Sequence, residues 1–423
     1  MNTGSLRVIQ NGADFQSSAV IENIRNFSKV WPLRSHFHDS YVARYVPECR
    51  HDTFYRLDTH ILATNSKDTI LFSLDRSDSL SVIPAQTAGF DPSPTLAASN
   101  VARRVKNVAG RMSYEDSSLI VQVTEGGVLL LEYDDVLQTH SVLTSWSPDK
   151  LGGEWAERTI VAAALNPSQV VLGLSRKRLV LLNLDENKKL QILRYSGSSI
   201  LNSMFDMMSH RYKDLQEEIS ALSCTPLDTT KMFSLYIAVG FWSTHTVDLL
   251  SVASAEGSFE PVCDSLTLPA LPRSLLLHDF GNAPHLLVGL RDGTLVTYAF
   301  VKNKFQDKRF FSLGTEPVGL TQFEMGEKKV VFANGSRAAL FYLEKGILQH
   351  SSILIKVNRL PRRRTAPLMS FRRTERFCEC KNQHTELAVV FTFDDIVRMR
   401  CWNGARSRQD AHQDCERLSV CFF

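Results

Sequence analysis

The sequence predicts an all-β chain whose body is a single β-propeller, with six recognisable blades, a seventh that is incomplete or irregular, and a basic C-terminal tail. Three observations carry this expectation. An apolar stretch, a short turn and a second apolar stretch recur six times along the 423 residues. The intervals between recurrences leave room for two further, weaker strands each time. Within each hairpin the apolar character is nearly continuous, as in strands covered on both faces, where clean alternation is not required. Isolated two-sheet sandwiches are the alternative architecture.

Taken in chain order, the first element is "GSLRVIQNGADF" (4–15), where Leu6, Val8 and Phe15 alternate with polar neighbours around Asn11-Gly12. That dipeptide accepts the positive φ angles of a tight hairpin turn. A hairpin alone is barely stable in water, so residues 1–28 are expected to be an orphaned hairpin. It would be exposed, mobile, or borrowed to patch the seventh blade.

The propeller proper is expected over 29–355. Its hairpins are "HILATNSKDTILFSL" (60–74), "SLIVQVTEGGVLLLEY" (118–133), "QVVLGLSRKRLVLLNL" (169–184), "LYIAVGFWSTHTVDLLSV" (235–252), "HLLVGLRDGTLVTYAF" (285–300) and "KVVFANGSRAALFYL" (329–343). The apolar starts Ile61, Leu119, Val170, Tyr236, Leu286 and Val330 lie 58, 51, 66, 50 and 44 residues apart. A hairpin with two more strands makes a four-stranded unit, and units recurring every ~40–50 residues mark propeller blades.

Two segments interrupt the rhythm. Residues 98–118 are long and basic and are expected to carry a surface insertion. In residues 198–222, Ile200, Met204, Met207, Met208, Tyr212 and Leu215 stand at helical spacing, which predicts a short amphipathic helix between the third and fourth blades.

Beyond Lys356 the character changes. Residues 356–385 are expected to be a basic, disordered segment, in which Arg359, Arg362, Arg363, Arg364, Arg372, Arg373 and Arg376 face one acid, Glu375. Such a run suits nuclear localisation or nucleic-acid association through phosphate neutralisation; the alternatives are a solvated arm and a stretch of intron or shifted reading frame. "ELAVVFTFDDIVRMRCW" (386–402) returns to the hairpin pattern, with Asp394-Asp395 as its turn. Residues 386–423 are therefore a candidate seventh-blade hairpin and tail.

Composition bounds the function. The chain is 43% hydrophobic and 22% charged, the balance of a soluble globular protein, and holds no apolar run of the ~18 residues needed to span a membrane. No signal-peptide pattern opens it, so an intracellular protein with reduced thiols is expected. The eight cysteines fit this: three are scattered singly, and five crowd into the last 46 residues. The net charge of +3 is uneven. Residues 356–423 carry fourteen Lys and Arg against eight Asp and Glu, which leaves 1–355 with 34 basic and 37 acidic side chains. A mildly acidic body is a poor nucleic-acid surface, so any nucleic-acid contact is expected to be indirect.

No phosphate-cradling loop, nucleophile elbow or zinc-protease helix occurs. The expectation is a non-enzyme with no cofactor, no small-molecule substrate and no metal. Cys378, Cys380, His384, His412 and Cys415 lack the paired spacing of a zinc site, and His36 and His38 read as loop residues.

Short segments then carry a resemblance. "GSLRVIQNG", "VWPLRS" (30–35), "EEISALSCTPL" (217–227), "AVGFWS" (238–243), "LPRSLLL" (271–277), "GLRDGTLVTY" (289–298) and "SLGTEPVGL" (312–320) resemble, in order and spacing, the middle propeller of the damaged-DNA-binding protein subunit 1 family, the large adaptor of cullin-4 ubiquitin ligases. Splicing factor 3b subunit 3 and the large subunit of the cleavage and polyadenylation specificity factor share the superfamily. "TIVAAALNPSQVVLGL" and "LPALPRSL" are as similar to the splicing subunit, whereas Trp242 and "WPLRS" favour the adaptor.

The resemblance implies a fragment of a three-propeller protein, its first hairpin left over from a preceding propeller. It implies a nuclear, non-catalytic interaction scaffold, with the cytoplasm as a further location. The partner implied is a cullin-4-type scaffold protein, docked through Glu218 and Trp242. A splicing or polyadenylation scaffold with nucleic-acid association is the alternative, and Trp242 packed between blades is the plain structural reading of that residue.

Overall fold

A computed structural model describes residues 16–22, most of 28–353, 389–390 and 396–401. Within the body, the segments of five or more residues outside that description are 35–40, 46–51, 76–80, 107–111, 152–156, 196–214 and 253–258.

Among the described residues, six antiparallel sheets of four or five strands follow one another along the chain. The inner strands are Lys29–Leu33, Thr95–Asn100, Ile160–Leu165, Ile219–Ser223, Pro272–Asp279 and Gly319–Met325. Each pairs with the first arm of a hairpin, and the hairpins are the six read from the sequence: His60–Thr64 with Thr69–Asp75, Ile120–Thr124 with Val128–Asp134, Gln169–Leu174 with Arg178–Leu184, Tyr236–Phe241 with Thr246–Ser251, Pro284–Leu290 with Thr294–Val301, and Lys328–Asn334 with Ala339–Glu344. An outer strand completes each sheet: Ser81–Pro84, Thr139–Trp146, Leu190–Tyr195, Glu260–Pro261, Lys304–Ser312 and Ile347–Ser352. The fourth sheet adds the short strand Leu266–Thr267.

The sheets stack face to face, and the hairpins show why their sequences do not alternate. Leu172, Leu174, Val180 and Leu182 of the third sheet pack against Val121, Val123 and Leu130 of the second. Their neighbours Val171, Leu179 and Leu181 point the other way, onto Ile237 and Val239 of the fourth. In the same manner Leu286, Val288 and Val296 of the fifth sheet meet Ala238, Val247 and Leu249, while Leu287 and Leu295 meet Val331 and Phe341 of the sixth. Both faces of a hairpin are buried, so its apolar run is nearly continuous. The inner strands of all six sheets line a central channel of about 1500 Å³. This is a β-propeller, and the sandwich alternative is set aside.

Three further pieces surround the sheets. The basic segment 98–118 holds an extra hairpin, Arg103–Lys106 with Met112–Glu115. A second extra hairpin, Tyr41–Tyr45 with Asp52–Arg56, was not anticipated, because its polar alternation is short and its turn carries no Gly dipeptide. A three-stranded sheet pairs Gln16–Glu22 with Ile396–Cys401, which in turn pairs with Val389–Val390. Its first strand lies beside Ser81–Pro84.

Of the segment 198–222 expected to hold a helix, 198–214 and 216 lie outside the described residues. Leu215 is buried between the third and fourth sheets, and the segment's last residues form the strand Ile219–Ser223 rather than helix. Residues 4–15, His36 and His38 also lie outside the description, as do the seven arginines from Arg359 to Arg376 and the cysteines and histidines of the discounted zinc cluster, Cys378, Cys380, His384, His412 and Cys415.

Candidate protein-interaction surface at the channel mouth

The surface that holds Glu218 and Trp242 is built by a repeated irregularity. In the third, fourth and fifth sheets, pairing between the inner strand and its neighbour slips at one place: between Ile160 and Ala162, between Ile219 and Ala221, and between Pro272 and Ser274. Opposite each slip stands a glycine, Gly173, Gly240 or Gly289, paired with Ala162, Ala221 and Ser274 respectively. A bulge inserts one residue and re-aims its side chain. The residues so turned are Val161, Ser220 and Arg273, and all three line the channel. Val161 is 43% exposed, an unusual state for an aliphatic side chain on an inner strand.

The glycines permit the neighbouring sheet to approach. A Cβ on Gly173 would sit 3.0 Å from Ile219 Cδ1, and one on Gly240 3.1 Å from Pro272 Cγ. On Gly289 it would come within 2.4 Å of the Val318 carbonyl oxygen. Each contact is with the inner strand of the next sheet or the residue leading into it, so the same position that makes room for a bulge also sets the spacing between sheets.

Glu218 and Trp242 stand 24 positions apart in sequence and are joined by pairing. The Trp242 N–H donates to the Glu218 carbonyl (3.0 Å), continuing the ladder between Ile219–Ser223 and Tyr236–Phe241. The Glu218 carboxylate Oε1 accepts the Arg176 N–H (2.9 Å). Arg176 and Lys177 form the hairpin turn of the third sheet with φ of 61° and 70°, conformations that cost a non-glycine residue energy. The turn is held from both sides: buried Arg158 donates to the Ser175 and Arg176 carbonyls at 3.4 and 3.3 Å, while Glu218 takes the Arg176 amide.

Trp242 is 42% exposed, a large value for so big an apolar side chain. The Arg273 guanidinium lies over it, 5.6 Å from the ring centroid, in a cation–π contact supplied by the bulge of the next sheet. The arrangement presents a fixed aromatic face flanked by a carboxylate and a guanidinium. Arg273 went unremarked in the sequence, although "LPRSLLL" contains it; its signal is the glycine that recurs opposite the bulge.

Elsewhere the chemistry is quiet. No group of three His, Cys, Asp or Glu comes together to hold a metal among the described residues. Cys224 is a buried free thiol whose pKa burial pushes up to about 12, and the free thiol of Cys263 is raised by burial and by Asp264 and Asp248.

Comparison with known proteins agrees with this architecture. Residues 17–362 match the family described as the RSE1/DDB1/CPSF1 second beta-propeller. The chain belongs to that family. Among curated relatives of this second-propeller family, the chain is 24% identical to DNA damage-binding protein 1 of Oryza sativa subsp. japonica over 431 residues, 99% of this chain and 33% of that protein. It is 24% identical to DNA damage-binding protein 1 of Solanum lycopersicum over 358 residues, covering 84% and 27%. With the Drosophila melanogaster protein of the same name it shares 25% over 248 residues, 57% and 18%. The chain spans a third or less of the length of these relatives.

Proposed function

We propose that the chain is a non-catalytic interaction scaffold that docks a cullin-4-type scaffold protein through Trp242 and Glu218. The observation that carries the reading is the exposure of Trp242 in a fixed setting, with its backbone tied to Glu218 and its ring capped by Arg273. An aromatic anchor that is already immobilised loses little entropy on binding, and tryptophan dominates interface hot spots. Membership of a family that includes DNA damage-binding protein 1 supports the same reading. The protein would act in the nucleus, with Arg359, Arg362, Arg363, Arg364, Arg372, Arg373 and Arg376 as its import or nucleic-acid segment.

A pull-down with the N-terminal region of a cullin-4 tests the docking. Wild-type chain is expected to be retained, and Trp242→Ala combined with Glu218→Ala to weaken retention by ~100-fold or more, as for loss of a hot-spot pair. Absence of binding by the wild type, or unchanged binding by the double variant, rejects the assignment. Capture of splicing or polyadenylation subunits from nuclear extract in place of a cullin would select the other branch of the family. A fluorescent fusion in which Arg362, Arg363 and Arg364 are changed to Ala is expected to lose nuclear accumulation.

A further inference from the structure

The channel mouth carries more positive charge than the docking surface uses: Arg273 caps Trp242, and two further cations stand beside it in the channel lining. Lys29 begins the inner strand of the first sheet, Arg273 is the bulged residue of the fifth, and Arg291 follows the neighbouring strand Pro284–Leu290. All three line the channel. The Arg291 N–H donates to the Leu271 carbonyl (2.9 Å), which places it at the same end of the fifth sheet as Arg273.

These cations lack counter-charge. The Lys29 ammonium donates to the neutral Leu96 carbonyl (2.9 Å), and none of the three joins an ion pair among the described residues. Glu316 is the one carboxylate among the described lining residues. Lys29 is open to channel water yet surrounded by protein on most sides, and burial together with the like charge of Arg273 holds its ammonium below the ordinary value. Two positive groups, from the first and fifth sheets, therefore repel one another across an opening whose described lining holds a single carboxylate.

We propose that the channel mouth binds a compact, multivalent phosphate anion, held between Lys29 of the first sheet and Arg273 and Arg291 of the fifth. The contact of Arg273 with the Trp242 ring is a cation–π contact, which consumes none of the guanidinium's N–H donors and leaves them for a ligand. Guanidinium forks match phosphate oxygens two at a time, and lysine adds a point charge. The cations line one concave channel from separate sheets, and Lys29 and Arg273 are close enough to interact. That suits a small polyanion better than an extended acidic peptide.

Isothermal titration calorimetry of the full chain with inorganic tripolyphosphate, at ionic strength fixed with chloride, tests the site without any protein partner. The cullin pull-down and this titration can therefore fail independently. Saturable one-to-one binding is expected, weakened about tenfold or more by each of Arg273→Gln, Arg291→Gln and Lys29→Gln, as loss of one charge-assisted hydrogen bond predicts. Lys345→Gln, on an exposed turn of the sixth sheet, is expected to bind as the wild type does. Circular dichroism verifies that each variant is folded. Absence of saturable heat, equal affinity in all four variants, or binding of poly-glutamate without binding of tripolyphosphate overturns the proposal.

Discussion

His278, on the inner strand of the fifth sheet, is 5% exposed and edges against the Phe280 ring at 4.5 Å. Its Nδ1 stands 3.0 Å from Gln322 Oε1, an oxygen that can only accept, so Nδ1 carries the proton; Nε2 is buried without a partner. Burial lowers the pKa to about 4, against the Gln322 hydrogen bond, which raises it. The unfolded chain, with an ordinary histidine, binds this proton near pH 6.5 while the folded chain refuses it until about pH 4. Stability from this group is therefore whole above pH 6.5 and falls as pH drops, by about 3 kcal/mol at pH 4. Urea denaturation across that range is expected to show the loss in the wild type and a correspondingly shallower one in His278→Asn. Trp242 was legible in the sequence because an aromatic after "AVGF" matches a known pattern. Arg273 was not, since a bulge is a property of two strands in register and cannot be seen in one.

Between sheets, the contacts are set by glycines and buried amides as much as by aliphatic side chains. A methyl group added at Gly289 meets a backbone oxygen at 2.4 Å and Ser274 Oγ at 2.3 Å, whereas at Gly240 the nearest atoms, at 3.1 Å, belong to the side chains of Pro272 and Ser220. Gly289→Ala is expected to cost ~3 kcal/mol, at the upper end of overpacking effects, and Gly240→Ala about 1 kcal/mol or less, read as shifts in urea midpoint. Gln122 is wholly buried in the second sheet. Its Oε1 accepts the Asp91 N–H (2.8 Å), and its Nε2 donates to the Asp91 carbonyl (2.9 Å) and to Thr95 Oγ1 (2.8 Å). Thr95 Oγ1 in turn meets Thr69 Oγ1 at 2.9 Å, which joins the first sheet to the second. Gln122→Leu is expected to destabilise by about 2–3 kcal/mol, because the buried partners lose their bonds without water to replace them. The six hairpins were readable because burial on both faces writes a continuous apolar run. The extra hairpins were not, because their strands carry no continuous apolar run; 41–45 and 52–56 spread aromatic and charged residues without a core pattern.

For the molecule as a whole, the described strands link residues near both ends of the sequence. Val20 is the register partner of Arg398, and paired Cα atoms of antiparallel strands lie ~4.5–5.5 Å apart, within disulfide range. The double variant Val20→Cys, Arg398→Cys is expected to form an intrachain cross-link on mild oxidation, identified by peptide mass spectrometry after digestion. A shift of register or absence of pairing leaves the two thiols free. The expectation that 386–402 contains strands rested on its return to apolar character after the arginines, and Val389–Val390 and Ile396–Cys401 lie within it. Which strand would take it up was beyond sequence reasoning, since pairing over such a separation leaves no local signature.

That pairing also sets a clock for synthesis. Gln16–Glu22 is translated about 380 residues before Ile396–Cys401, and at ~5–20 residues per second a ribosome takes tens of seconds to supply the partner. Bringing ends that distant together costs about 5 kcal/mol in loop entropy, so the contact forms only after the intervening sheets have shortened the path. Throughout that interval the nascent strand offers an open edge to any neighbouring chain. The risk of misassociation therefore falls on the polypeptide still being made, for as long as Gln16–Glu22 waits for its partner strand.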